Sequence, residues 1–344
     1  MDPKCDGDGP MKVLEFYSGI GGMHYALRES GVTFEVVGAF DINTNANAVY
    51  KHNFPNAKLL QRNLEGLSVQ DLDRFSAQCW TMSPPCQPYT RQGKQEASKD
   101  ARARSFLHIL DLFHEMETPP TYMLIENVKG FDESDTRQRL VEVLRSRGYH
   151  FKEFLVTPSD FGVPNSRLRF YLLAKPVSHA FKEDLPDSPT SVWSTRHTKR
   201  LVGEYLDEGE YNQYLIPDDI LLRFSDVMDI VYQESGGSCC FTKAYGKYVK
   251  GTGSIYTPMS REDVENVYKR IKEIDSDSSD QEKLKLLRTL QLRYFSPAEI
   301  SRLMCFPEDF AFQDEMTVRQ RYQLLGNSVN VGVIAHLLKE FLFK

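Results

Sequence analysis

No apolar run in these 344 residues approaches the ~20 that a bilayer-spanning helix needs, so no membrane partner is expected. The mean hydropathy of −0.45 agrees. The opening stretch, MDPKCDGDGP, has neither a basic region nor an apolar core. No secretory signal is expected there, and residues 1–10 read as a mobile tail. Cysteine is sparse: Cys5, Cys79, Cys86, Cys239, Cys240 and Cys305. None forms a C-x-x-C pair or a Cys/His cluster with zinc spacing, so reduced thiols and no metal are expected. Positive charge is not in excess either, the formal net charge being −6. That argues against broad non-specific affinity for nucleic acid, and a nucleic-acid substrate would need local basic patches on an acidic body. There is no internal repeat. With 41% hydrophobic and 26% charged residues, the composition is that of a soluble globular chain.

The first half alternates strand-like and helix-like segments. MKVLEFYS, FEVVGAFDI, YMLIE and RLRFYLLAK read as strands, while GMHYALRES, TNANAVYKHNF and DESDTRQRLVEVLRSRG read as helices. Gly31 and Gly148 stand where helices stop. Such alternation predicts βαβ units and a largely parallel, doubly wound α/β sheet over 11–175. Periodicity weakens near Pro176, and polar runs such as KEDLPDSPTS and DSDSSDQE follow. A smaller second domain is expected over 176–292, with the acidic serine run as a mobile loop or helix end. Residues 293–344 are apolar and helical again and are expected to return to the first domain.

Two stretches invite chemistry. EFYSGIGGMHYAL sets Gly19, Gly21 and Gly22 between a strand and a helix, where backbone can approach a ligand closely. Asp41 lies ~20 residues further on and suits a ribose hydroxyl. This is not the full G-x-G-x-x-G spacing, and an ordinary strand-helix turn is the other reading. MSPPCQPYTRQG sets Cys86 among Pro84, Pro85 and Pro88 after an apolar strand. A thiol so fixed suits a covalent nucleophile; the alternative is a buried, inert cysteine. Glu126 follows an apolar strand in LIENVKGF, a place where a carboxylate needs a partner or a task. Arg167 and Arg169, two apart in NSRLRF, would share one face of a strand. A salt-bridge acid and a solvated edge strand are the plainer readings of these.

Together, FYSGIGGMHYAL, SPPCQPYT, IENVKGF, NSRLRFYLLA and YQLLGNSVNVGV resemble, in order and over nearly the whole chain, the motifs of the cytosine-5 methyltransferases. The resemblance implies a Rossmann-like S-adenosylmethionine-dependent fold with a target-recognition domain. It implies that Cys86 attacks cytosine C6, that Glu126 engages ring N3, and that Arg169 with Arg167 lies near O2 and the reactive loop. Ile20, Gly21 and Gly22 would line the methionine end of the cofactor, Asp41 the ribose, and Leu64 and Glu65 the adenine. Ser83 would start the catalytic loop, and Asn327 and Ser328 would complete the pocket.

A narrower likeness lies in CCFTKAYGKYVKGTGS, Cys239 to Ser254, which is similar to the signature of a small eukaryotic branch that methylates tRNA in the anticodon loop, tRNA-Asp above all. Lys243, Lys247 and Lys250 alternate there with Phe241, Tyr245 and Tyr248. Cations for phosphate and rings for unstacked bases suit single-stranded RNA. A solvated strand pair with core aromatics is the other reading. The candidate RNA contacts are Phe241, Thr242, Lys243, Tyr245, Lys247 and Lys250, with Arg91 and Lys94 beyond the nucleophile and TRHTKR near Arg196. Methylation of DNA at the same site, with weak DNA binding, and a non-enzymatic adaptor are the competing functions. A monomer in cytoplasm and nucleus is expected.

Overall fold

Strand β1, Met11–Phe16, lies at the centre of the computed structural model, which describes residues 9–85, 103–179, 181, 197–209, 211–274 and 280–344. Val13 faces one apolar cluster, and Leu14 and Phe16 face another. That double burial is what a central parallel strand has, because crossover helices cover both faces. Helix α1, Gly22–Glu29, leads to β2, Phe34–Phe40, and α2, Thr44–Asn53. The Asn43 side chain caps α2 by accepting from the N–H groups of Asn45 and Ala46. Next come β3, Leu59–Leu60, α3, Val69–Asp73, and β4, Cys79–Met82. Helix α4, Arg104–Glu115, strand β5, Tyr122–Val128, and helix α5, Asp135–Ser146, precede β6, Tyr149–Val156, and β7, Arg169–Pro176.

The strands order as β3-β2-β1-β4-β5-β7-β6. The pairings from β3 through β5 are parallel, as the alternation of elements predicts. Strand β7 is antiparallel to both neighbours. The chain returns from β6 without a crossover helix, and adjacent strands joined that way pair antiparallel. The chain leaves β1 toward β2 on one side and returns to β4 on the other. The carboxyl ends of β1 and β4 therefore flank a crevice, the place where open α/β sheets hold ligands.

Helices α1 and α2 cover one face through Met23, Tyr25, Val49 and Tyr50. Helices α4 and α5 cover the other through Phe106, Ile109, Phe113, Leu140 and Leu144. Each such side chain, fully buried, contributes about 1.5–3 kcal/mol. One acid interrupts the first layer. Glu15 on β1 is fully buried; the Tyr50 hydroxyl donates to its Oε2 at 2.9 Å and lies 2.8 Å from His24 Nδ1. Burial pushes the Glu15 carboxyl up to about 8 and the His24 imidazole down to about 4.

Beyond β7 the chain is less regular: α6, Asp218–Phe224, β8, Ile230–Val231, β9, Ile255–Tyr256, α7, Arg261–Glu273, and α8, Asp280–Thr289. Val202, Ile216, Val231, Ile255 and Leu287 continue the same apolar cluster that contains α1. Residues 1–8, the KEDLPDSPTS run and 275–279 of the acidic serine run lie outside the described residues; Asp280–Glu282 open α8. Helices α9, Pro297–Leu303, α10, Val318–Asn327, and α11, Val331–Leu337, bring the chain back. Val329 packs so closely on Gly22 that a Cβ there would sit 2.6 Å from it. Among the described residues no helix is long and apolar enough to cross a membrane, and no cluster of His, Cys, Asp or Glu could hold a metal.

Candidate active site

A cavity of about 700 Å3 opens at the carboxyl ends of β1, β2, β4 and β5. The glycine turn after β1 forms one wall. Gly19 and Gly21 have φ of 53° and 87°, conformations that glycine adopts without strain. At Gly21 a Cβ would also lie 2.5 Å from the Phe54 ring. Asp41, one residue past β2, fastens this turn: Oδ2 accepts from Gly19 N and Oδ1 from Asn43 N, both at 2.8 Å. Each oxygen keeps a second lone pair for a ligand.

Gly19, Ile20, Asp41, Leu64, Glu65, Ser83, Asn327 and Ser328 line the cavity. Gly21 and Gly22 do not, which corrects the sequence expectation. They stand behind the wall, where Gly21 admits Phe54 and Tyr50 and Gly22 admits Val329 and Ser328. Their missing Cβ atoms make room for that packing of the turn. Sequence reasoning missed Ile42, which lines the cavity with 70% of its surface exposed. Its signal was an apolar side chain directly after the ribose-type acid, where a strand has already ended.

The opposite wall carries the charge. Glu126 sits inside β5 rather than after it and is 5% exposed. Ser83 Oγ donates to its Oε2 at 2.9 Å, and Arg169 Nε lies 3.5 Å from Oε1. Asn127 Nδ2 donates to the Pro84 carbonyl at 3.3 Å, tying the proline segment to β5. Pro84 and Pro85 line the cavity directly before Cys86. Cys86, Arg91, Lys94 and Arg196 themselves lie outside the described residues.

Arg167 and Arg169 divide their work differently from a pair on one strand face, because β7 begins only at Arg169. Arg167 is 4% exposed and donates to backbone carbonyls: Phe241 O at 3.2 Å, Gly326 O at 3.3 Å, and Ser328 O. It clamps three segments together beneath the cavity. Its Nε has no partner among the described residues. Both guanidiniums also reach Cys240 Sγ, at 3.5 Å from Arg167 and 3.8 Å from Arg169. Burial pushes the Cys240 thiol up, but the two cations outweigh it and leave the thiol below its ordinary range. Burial disfavours the Arg169 cation, yet Cys240 and Glu126 more than offset that. No sequence pattern joins residue 240 to residues 167 and 169; the contact exists only in the fold.

The Cys239–Ser254 segment starts on this wall. The backbone of Thr242 and Lys243 lies so close to Gly326 that a Cβ there would be 2.1 Å from Lys243 N. Lys243, Lys247 and Lys250 are exposed. Phe241 and Tyr245 are each 2% exposed, which overturns their assignment as stacking surfaces for bases. Their rings meet edge to face at 5.0 Å, and the Tyr245 hydroxyl donates to Ser254 O and accepts from Phe295 N. Two aromatic rings spaced to meet each other across a turn are worth more in the core than in water.

The arrangement can hold an extended ligand along the glycine wall and present a carboxylate, fixed by a serine and an arginine, to a ring beside it. The sequence model of the C-5 cytosine-specific DNA methylase family matches residues 11–342. A mouse protein named tRNA (cytosine(38)-C(5))-methyltransferase is 40% identical over 96% of this chain and 92% of its own. A Dictyostelium discoideum protein named DNA (cytosine-5)-methyltransferase is 40% identical over 96% and 93%. The crystal structure of a mutant form of Spodoptera frugiperda DNMT2 superposes with a TM-score of 0.89 at 41% identity, covering 97% of this chain and all of that one. The shared motifs, the sheet and the length of these matches agree: the chain belongs to the C-5 cytosine-specific DNA methylase family.

Proposed function

We propose that the protein transfers a methyl group from S-adenosylmethionine to C5 of a cytosine in the anticodon loop of tRNA. The observation that carries the chemistry is Glu126 held between Ser83 and Arg169 at the cavity wall from which Pro84 and Pro85 lead to Cys86.

The cavity's residues fit the cofactor. Phe40, Ile42 and Leu64 offer apolar surface for a flat base, Asp41 and Glu65 offer acceptors, and Gly19, Ile20, Asn327 and Ser328 remain for the methionine end. Bound there, S-adenosylmethionine supplies an electrophilic methyl group. Cytosine C5 is a poor nucleophile within its aromatic ring. Addition of the Cys86 thiolate to C6 removes that aromaticity and makes C5 enamine-like. Glu126 supports the addition by engaging N3, and Arg169 keeps Glu126 oriented beside the ring. Once C5 has taken the methyl group from the sulfonium, leaving a neutral thioether, loss of the C5 proton breaks the bond from Cys86 to C6, expels the thiolate and restores the ring.

The choice of RNA rests on the exposed lysines of the segment abutting Gly326 and on the names of relatives that match nearly end to end. A base in a loop leaves its stack more cheaply than one in a duplex. The name of the Dictyostelium relative favours DNA as the second reading. Methyl transfer to an anticodon stem-loop and to duplex DNA, under the same cofactor and salt, separates them. The RNA should react much faster, and equal or faster reaction on the duplex overturns this choice. With 5-fluorocytosine in the RNA, the wild type should form a stable covalent adduct and Cys86→Ala should form none. An adduct on the variant would move the nucleophile elsewhere, with Cys240 the first candidate.

A further inference from the structure

We propose that Tyr248 is the stacking platform for an unpaired base that flanks the target cytosine, an inference that rests on the RNA reading above. Among the described Phe, Tyr and Trp residues, only Phe224 and Tyr248 are exposed, and Tyr248 is the more exposed at 56%. Of the three rings in the lysine-aromatic segment it alone remains for solvent, since Phe241 and Tyr245 are core.

The backbone beneath this ring is fixed on every side. Tyr248 N donates to Ala244 O at 3.1 Å, and Thr252 Oγ1 donates to Tyr248 O at 2.5 Å. Gly246 adopts φ of 76° with its Cα against Tyr322, where a Cβ would lie 2.8 Å from that ring. Val249, the next residue, is 4% exposed and anchors the chain from the other side. The ring is therefore held outward by a turn that is itself locked to the core. A platform with a rigid base loses little further freedom when a ligand settles on it.

Its surroundings match a nucleotide. Lys247 Nζ lies over one face of the ring, 5.0 Å from its centroid, so a base would stack on the other face, and Lys243 and Lys250 are exposed in the same turn. A ring for a base and cations for its phosphates are the two elements of single-strand binding. The site is also next to the chemistry. The turn begins at Thr242 and Lys243, whose backbone touches Gly326, a residue of the cavity wall. Six residues separate Thr242 from Tyr248, at most about 20 Å if extended and less in this folded turn. Neighbours of a base drawn into the cavity lie within that reach.

The test uses the full chain and an anticodon stem-loop carrying 2-aminopurine beside the target cytosine, with wild type, Tyr248→Ala and Tyr248→Phe. Wild type should quench the 2-aminopurine fluorescence, and Tyr248→Phe should quench it equally. Tyr248→Ala should lose the quenching and raise Kd and KM for the stem-loop by roughly 5- to 150-fold, the range of one base-aromatic stack. The loss should fall on KM rather than on kcat, with S-adenosylmethionine affinity and the thermal midpoint unmoved. If wild type methylates the stem-loop while Tyr248→Ala binds and quenches as wild type does, the stacking role is wrong and the RNA reading stands. Tyr248→Phe as weak as Tyr248→Ala also overturns it, because the hydroxyl and not the ring would then matter. A wild type that ignores the stem-loop and methylates duplex DNA removes both the RNA reading and this inference.

Discussion

The Glu126 wall carries cations at the cavity and the Thr242–Lys250 turn carries them on a segment that abuts Gly326, but they use them in opposite ways. On the wall, Arg169 is committed to Glu126 and Cys240, and Arg167 to three backbone carbonyls. On the turn, no ion pair involves Lys243, Lys247 or Lys250 among the described residues, and all three face solvent. Arginine suits the first task because its planar fork reaches several acceptors at once; lysine suits the second as a mobile point charge. The wall is thus preorganised for a reaction, while the turn keeps its charge for a partner that arrives from solution. A sequence shows basic residues in both places and does not show which of them are already satisfied.

Breaking the wall should cost most. Glu126→Gln keeps the shape but replaces the ionisable carboxyl with an amide that cannot exchange a proton, and should slow methyl transfer by about 10²–10⁴-fold. Single-turnover rates at saturating cofactor measure it, and an unchanged rate would make Glu126 structural. Arg167→Ala should act differently from any change at Arg169. It leaves the carbonyls of Phe241, Gly326 and Ser328 without their charged donor, at a cost of about 1.5–3 kcal/mol per hydrogen bond lost. Chemical denaturation should show that loss, with weaker binding of both cofactor and RNA, since the clamp joins both sides. A variant as stable as wild type would show that the clamp carries no load.

On the turn, replacing Lys243, Lys247 and Lys250 with alanine should leave stability and cofactor affinity alone. It should weaken RNA binding and lower the slope of log Kd against log salt by about 2, near 0.7 per phosphate contact on a single strand. An unchanged slope would mean that these lysines do not touch phosphate.

The smallest effect belongs to the layer between β1 and α2, outside the cavity, where an ionisable acid is kept neutral. Glu15 has its folded value raised from 4.5 to about 8 by burial. Between those values the folded chain holds a proton that the unfolded chain has lost, so stability falls as pH rises through that window. His24, lowered from 6.5 to about 4, has the opposite slope below 6.5. The interval from about 6.5 to 8 lies clear of His24 and inside the window of Glu15, while the lowered Cys240 thiol acts there, if at all, with the opposite sign. Glu15→Gln should remove the fall in stability that Glu15 contributes across that interval, read as the difference in slope from wild type, and equal slopes would place the titrating group elsewhere.

The local patterns decided a great deal. Alternating strands and helices, and glycines placed after β1, were enough for the doubly wound sheet and the crevice at its strand ends. The reason is that apolar period and turn chemistry are properties of neighbouring residues. The strand-borne Glu126 stood out for the same reason, as a residue type placed where packing alone does not call for it, and the structure sets it on the cavity wall. What the fold alone decided were the relations between distant segments. Gly21 and Gly22 turned out to serve packing because Phe54 and Val329 arrive from elsewhere in the chain. Arg167 became a clamp because residues 241, 326 and 328 converge on it, and Cys240 joined the site through the same convergence. Of three rings spaced alike in one segment, Phe241 and Tyr245 went inward and Tyr248 outward. Burial is set by what packs on a residue, and Phe295 and Tyr322, which enclose Tyr245, lie fifty or more residues further along the chain.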